Sequence, residues 1–350
     1  MAFFRPNRRS FGVLATLAAA SVALPVLRAQ ARLEKSSVTI AVGGKSALYY
    51  LPLAIADALG YFKAEGLDVE LIDFAGGARA AQAVQGGGAD VGAGAFERML
   101  SMQGAAPLLG AFVLMGRAPQ MALGVSAFRL PGIKTVANLK GHTVGVSALG
   151  ASTHMLASLV LARASIKASD VSFVGVGVGA DALSALRLGQ VDALCNPDPV
   201  MGMLERGEVR IMADTRTLKN SQELFGGPMP AACLYAPQGF VQKNPQTVQA
   251  MASAIVRALK WLQTAGPGDI IKTMPEAYML GERAQYLAAF NKVRETFSLD
   301  GVVSEDAAKT AWRVLASLDA PFKPERAERM APAIVYTNEF AQRAKARFKV

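Results

Sequence analysis

The chain has 350 residues, of which 52% are apolar and 18% charged, so it is neither disordered nor short of core material. Its formal charge of +10 is spread along the sequence without a run of five like charges, which gives no footing for a nucleic-acid interface. At roughly 150 residues per domain, that length suggests two domains.

The first 31 residues read as an export signal. Arg8-Arg9-Ser10-Phe11 precedes an apolar stretch from Gly12 to Leu27, and Ala29-Gln30-Ala31 puts small residues at the cleavage positions. The arginine pair followed by Ser-Phe suggests the twin-arginine route. Cleavage near Ala31 would start the mature chain at Arg32 and place it in the periplasm. The signal holds four arginines and no acid, so its loss takes the formal charge from +10 to +6. Cys195 and Cys233 would then meet an oxidising compartment. Their spacing supplies no metal site and leaves a disulfide open, although two buried thiols suit their apolar surroundings better.

From Val38 the chain alternates strand and helix. Val38–Val42 is a β-branched strand, and Pro52 suits the first turn of a helix over Leu51–Leu59. Asp68–Phe74 reads as a strand, Ala78–Gln85 as a helix ended by Gly86–Gly88, and Asp90–Ala93 as a third strand. Leu108–Leu114 and Met121–Ser126 are two more, with Arg117-Ala118-Pro119 turning between them. A second run follows: strand Thr143–Ser147, helix Ser152–Ala164, strand Val171–Val176, helix Ala180–Leu188 and strand Val191–Cys195. Asn244-Pro245 predicts an N-cap and first turn, and Val248, Met251, Ile255, Leu259 and Leu262 then share one helical face. Helices over Glu282–Phe297, Ser304–Leu318 and Ala333–Arg347 complete a helical C-terminal part.

Two of these stretches repeat. Val69–Glu97 aligns without a gap on Val171–Pro199, at an offset of 102 residues, with seven of 29 positions identical. In so Ala- and Gly-rich a chain the shared order (apolar run, Gly turn, helix, Gly break, strand opening at an Asp) weighs more than the count. The expected fold is therefore α/β, with two doubly wound lobes facing each other across a hinge. Lobe 1 takes residues 32–125 and 237–350, and lobe 2 takes 126–236, the chain crossing near Ser126 and returning over Ala231–Tyr235.

In a parallel α/β sheet, ligands meet the carboxyl ends of strands, where helix N-termini present free N–H groups. Five loops fit that place: Gly43–Tyr50, Ala75–Arg79, Gly94–Arg98, Ser147–His154 and Asn196–Pro199. Gly150-Ala151-Ser152-Thr153-His154 is the strongest, because small residues admit a ligand and two hydroxyls stand beside free amides; an ordinary N-cap would use the same residues. The candidate ligand residues are Ser46, Tyr49, Tyr50, Gly76, Gly77, Phe96, Glu97, Ser147, Ser152, Thr153, Asn196 and Asp198. Tyr49, Tyr50 and Phe96 could cover a ring or alkyl chain, with a place in the core as their other reading. Glu97 and Asp198 could meet a ligand cation, with helix capping as the other reading of Asp198, and Arg79 or Arg117 could meet an anion.

Chemistry beyond binding has little support. Gly175-Val176-Gly177-Val178-Gly179-Ala180 fits a dinucleotide fingerprint, yet it lies in the second unit of its lobe with no acid about 20 residues on. His142 and His154 are the only histidines, and no H-E-x-x-H, G-x-S-x-G or Walker lysine occurs. No catalytic residue, metal or cofactor is expected.

Taken together, "PLAIADALGYFKAEGLDVEL", "GGARAAQAVQGGGADVG", "LKGHTVGVSALGASTHMLA" and "GQVDALCNPDPV" resemble the solute-binding proteins of ABC importers. The branch is the one serving nitrate, taurine and alkanesulfonates, with relatives that bind thiamine-precursor pyrimidines. The resemblance implies a type II periplasmic-binding fold, a small-molecule ligand, and an ABC permease with its ATPase as partners of a monomer. Ser152-Thr153-His154 resembles the S-T-T-H run of taurine-type members with one residue missing. Asn196-Pro197-Asp198 lacks the tryptophan those members carry before the proline. Two other functions stay open: an enzyme on the same fold, of the thiamine-pyrimidine or menaquinone-pathway kind, and a ligand sensor for a membrane receptor. Cys195 alone does not match the cysteine-rich run of the pyrimidine-forming enzyme.

Overall fold

The computed structural model describes residues 32–318, Phe322 and 332–350; the expected signal over residues 1–31 lies outside the described residues. Strand β1 (Ser37–Val42) leads through α1 (Leu51–Ala58) and α2 (Tyr61–Ala64) to β2 (Asp68–Asp73), α3 (Gly77–Gln85), β3 (Val91–Ala95), α4 (Phe96–Ser101) and β4 (Leu109–Leu114). The chain continues with β5 (Met121–Ser126), β6 (Thr143–Val146), α5 (Ser152–Arg163), β7 (Ser172–Gly175), α6 (Ala180–Arg187), β8 (Ala193–Pro197), α7 (Val200–Leu204), β9 (Val209–Asp214), α8 (Leu218–Phe225) and β10 (Ala232–Pro237). Helices α9 (Gln238–Lys243), α10 (Pro245–Thr264), α11 (Pro267–Thr273), α12 (Arg283–Val293), α13 (Glu305–Ala316) and α14 (Glu339–Phe348) follow. None of the described helices is long and apolar enough to cross a membrane.

The strands form two five-stranded sheets of matching design, β2-β1-β3-β10-β4 and β7-β6-β8-β5-β9. Both are mixed. β1, β2 and β3 run parallel, as do β6, β7 and β8, while β10 and β5 are antiparallel to both of their neighbours. Each antiparallel strand is donated from the far side of a crossing. β5 already belongs to the second sheet at Met121, and β10 already belongs to the first at Ala232. The crossings therefore fall between Leu114 and Met121 and between Asp214 and Ala232, ahead of the expected boundaries at 126 and 236. Leu109–Leu114 and Met121–Ser126 are not a hairpin.

The internal repeat has a physical basis. Its two copies are β2-α3-β3 and β7-α6-β8, in equivalent places of the two sheets. Gly87 and Gly189 end the two helices at φ +76° and +71°, a conformation that costs glycine little. Asp90 and Asp192 do the same work in each copy. Asp90 accepts from the Thr39 amide at 3.0 Å, and Asp192 from the Thr143 amide at 3.0 Å, fastening the strand to its parallel neighbour. Lys35 and Arg129 pair with the two carboxylates. Burial raises both carboxyls, but these amides and cations outweigh it and hold them below the ordinary value. Such a group contributes stability above its ordinary pKa and loses it as pH falls through the lowered one. Asp90→Ala and Asp192→Ala should each cost about 2 kcal/mol at neutral pH. In urea unfolding the two losses should be similar and should shrink below about pH 4.

In the C-terminal part, Val248, Met251, Ile255, Leu259 and Leu262 are all buried, as the α10 periodicity predicts. The cap differs from expectation. Asn244 turns its amide to the Phe240 carbonyl, and Glu34, from the start of the described chain, accepts from the Gln246 and Thr247 amides at the helix start. The helix expected over Ala333–Arg347 is a short 3-10 turn, Pro332–Val335, followed by α14. Between them the Thr337 amide bonds to Ala111 of β4, and Asn338 bonds both the amide and carbonyl of Val303, which interrupts helical pairing.

Candidate functional site

The carboxyl ends of β1, β3, β6 and β8 and the starts of α3 and α5 meet in one cleft between the two sheets. Its cavity volume is about 40 Å³, below the range of about 300–1,000 Å³ common for small-ligand sites, so the walls stand close together.

Glycines permit that approach. A Cβ on Gly43 would lie 2.3 Å from the Gly77 nitrogen, so the end of β1 rests directly on the start of α3. Across the cleft, a Cβ on Gly44 would lie 2.2 Å from Val178 Cγ2, and one on Gly76 would lie 2.5 Å from Ala148 Cβ. Two hydrogen bonds also span the gap. The Leu48 amide donates to the Asp198 carbonyl at 2.9 Å, and the Arg98 guanidinium donates to the Gly150 carbonyl.

Of the candidate residues, Tyr49, Tyr50, Gly77, Ser147, Ser152 and Thr153 line the cleft. Tyr49 and Tyr50 stack edge to face at 5.0 Å on the 3-10 turn Leu48–Tyr50, and both hydroxyls are held protonated by burial. Ser147 and Thr153 are largely committed to each other: the Thr153 hydroxyl oxygen accepts from the Ser147 amide at 2.9 Å and lies 2.8 Å from its Oγ. That pairing fixes the loop ahead of α5, where the Ser152 hydroxyl at the helix start hydrogen-bonds the Glu97 carboxyl. His154 is used locally, accepting from the Gly150 amide and stacking on Phe173.

The other candidates stand behind the surface. Ser46 is half-buried beside the tyrosine turn, outside the lining, and Gly76 supplies the close contact with Ala148. Phe96 is fully buried with its ring edge against Tyr336, 5.7 Å away, as a core residue. Asn196 is fully buried and donates to the Gly177 carbonyl. Glu97 is buried; desolvation raises its pKa, and the Ser152 hydroxyl, Arg98 and its own backbone pull against that rise. Asp198 is no partner for a ligand cation. Its carboxylate accepts from the Gly202 amide at 2.7 Å, capping α7, and pairs with Arg216, while burial pushes it up to about 6. Arg79 is exposed, and Arg117 donates to the Glu295 carbonyl at the crossing. Cys195 and Cys233 are free, buried thiols in different sheets.

Two lining residues with polar side chains were not among the candidate residues: Tyr235, and Arg98 at the end of the expected loop Gly94–Arg98. Arg98 has, among the described residues, a single hydrogen-bond acceptor, the Gly150 carbonyl, and no paired carboxylate, so donors remain for a ligand. Tyr235 of β10 lies over β3, where Cβ atoms on Gly92 and Gly94 would come within 2.2 and 2.9 Å of its ring. Its hydroxyl is buried at the cleft without a hydrogen-bond partner among the described residues. The alternate glycines of Val91-Gly92-Ala93-Gly94-Ala95 were the available signal, since glycines two apart in a strand mark a close neighbour on one face. With the α3 and α5 N-termini, the cleft presents several hydrogen-bond donors between the two sheets.

A family model described as NMT1/THI5 like matches residues 47–265. A solved structure from Bordetella bronchiseptica RB50 is 53% identical, covers 91% of this chain and 100% of its own, and superposes with a TM-score of 0.88. The alkanesulfonate-binding protein SsuA from Xanthomonas axonopodis pv. citri, bound to MOPS, is 19% identical over 88% of this chain and 100% of its own, with a TM-score of 0.66. The periplasmic nitrate-binding protein NrtA from Synechocystis PCC 6803 is 14% identical over 91% and 90%, with a TM-score of 0.69. At such identities the last two likenesses show the fold alone. No curated protein matches the sequence. The chain has the fold of the periplasmic binding proteins and belongs to the NMT1/THI5-like family.

Proposed function

We propose that the chain is the extracytoplasmic solute-binding component of an ABC importer, capturing a small organic solute of the sulfonate, nitrate, carboxylate or heterocycle class. The observation that carries this reading is the cleft itself. It is lined from both sheets and holds the Arg98 guanidinium, a tyrosine hydroxyl unpartnered among the described residues, and two helix N-termini. The solute enters while the lobes stand apart and favours their closure by touching both, and the closed form docks on a membrane permease driven by its ATPase. The capture site would then be the six lining candidates with Arg98 and Tyr235. The export signal over residues 1–31 fits delivery to the periplasm as a monomer. No residue in this account reacts with the solute.

A thermal-shift screen of the mature chain against sulfonates, nitrate, aromatic carboxylates, pyrimidines and small amides tests it. A ligand at a thousandfold excess over its Kd stabilises the native state by roughly 4 kcal/mol and raises Tm by several degrees. At least one class should give that rise. No rise with any class would contradict the reading.

A further inference from the structure

Behind the cleft, Arg216 is fully buried and gathers three carboxylates. It reaches Asp198 Oδ1 at 3.3 Å and Asp214 Oδ2 at 2.8 Å, and it also bonds Glu205. Lys292 of α12 closes the cluster, 3.0 Å from Glu205 and 3.4 Å from Asp214. A buried ion cluster is poor evidence for stability as such, because desolvation consumes most of the Coulombic gain. Its position is more informative. Arg216 opens the return crossing, beside Thr215, whose carbonyl and hydroxyl bond the Gln120 and Met121 amides of the first crossing. Asp198, the residue it holds, presents its carbonyl to the Leu48 amide of the opposite lobe. Leu48 starts the turn that carries Tyr49 and Tyr50 into the cleft.

We propose that Arg216 is a positioning residue for capture: by holding the Asp198 side chain at the hinge, it sets the Asp198 carbonyl where the Leu48 amide meets it as the lobes close. The inference rests on the capture reading and deepens it, because closure is then braced from the hinge as well as drawn by the ligand. The three carboxylates lie in different directions around the guanidinium. A fork of five N–H donors serves them together, and a single ammonium does not.

A disulfide trap reads closure without a ligand. A Cβ on Gly44 would lie 3.4 Å from Val178 Cβ, close to the roughly 3.8 Å of a disulfide, so Gly44→Cys with Val178→Cys cross-links when the lobes meet. The cross-linking rate of the mature chain under mild oxidant is compared in this parent, in Arg216→Lys, and in Arg216→Met combined with Asp198→Asn. The last pair removes one charge of each sign, leaves Lys292 with Glu205 and Asp214, and keeps the carbonyl. Both variants should melt near the parent temperature and cross-link about tenfold more slowly. A purely structural role would restore rate and melting together, so either folded variant cross-linking at the parent rate overturns the inference. A parent that never cross-links contradicts the capture reading instead.

Discussion

A chain carrying Gly76→Ala should fold and lose at least about 100-fold in apparent affinity for whichever solute stabilises the wild type. Gly76 has φ +98°, where an alanine is strained by about 1–2 kcal/mol. That strain alone does not touch the ligand. The added methyl does, because it would sit 2.5 Å from Ala148 Cβ on the opposite lobe. Both atoms belong to short backbone loops rather than flexible side chains, so the closed arrangement must open to relieve the contact. A ligand that needs closure is then bound only by the minor fraction that reaches it. Gly60→Ala is the control: its φ is +67°, in the milder left-handed helical region, and an added Cβ would meet nothing within 4 Å. It carries less backbone strain and should bind normally. Calorimetric titration of the two variants separates the effects, and equal affinities would remove the close-approach argument.

The second large effect divides stability from binding at one side chain. Gly92→Ala places a Cβ 2.2 Å from the Tyr235 Cζ in the middle of a buried strand, and the ring has to leave its bed. Overpacking of that severity costs about 3 kcal/mol, and the urea midpoint should fall accordingly. Tyr235→Phe does the reverse. It removes a buried hydroxyl that has no partner among the described residues, so stability should be unchanged or rise by up to about 1 kcal/mol. Solute affinity should fall about tenfold, because a hydrogen bond made to the ligand is lost. Loss of stability in Tyr235→Phe with intact binding would mean that the hydroxyl serves the fold.

Much of the fold was legible because its local signals agree with its packing. The β-branched runs of β1 and β6, the glycine stops after α3 and α6, and Pro245 at the start of α10 each work through a few neighbouring residues. The repeat was legible for the same reason, since Asp90 and Asp192 bond strands that neighbour them in each unit. The unread parts depend on distant partners. β9 is a half-buried edge strand carrying Arg210 and Asp214, so its sequence shows no clean alternation. The crossings were placed late because β5 and β10 look like any apolar strand; only sheet membership reveals that each pairs antiparallel across the hinge.

The site divides the same way. Its loops were readable from small residues at strand ends, and six candidates line the cleft. Asp198 looked like a ligand carboxylate because Arg216 stands 18 residues away in sequence, beyond any local pattern. Phe96 looked like a ring cover, yet its partner is Tyr336 from the C-terminal part. Arg98 follows the candidate Glu97 on α4, and nothing local marks that its guanidinium lines the cleft.

The central claim is that a solute is held between the two sheets. A crystal structure of the mature chain grown with the most stabilising compound of the thermal-shift screen tests it most directly. The account predicts ligand density between Tyr50, Arg98, Ser152 and Tyr235, with the Leu48 amide on the Asp198 carbonyl. Density at any other place, with this cleft empty, would contradict it.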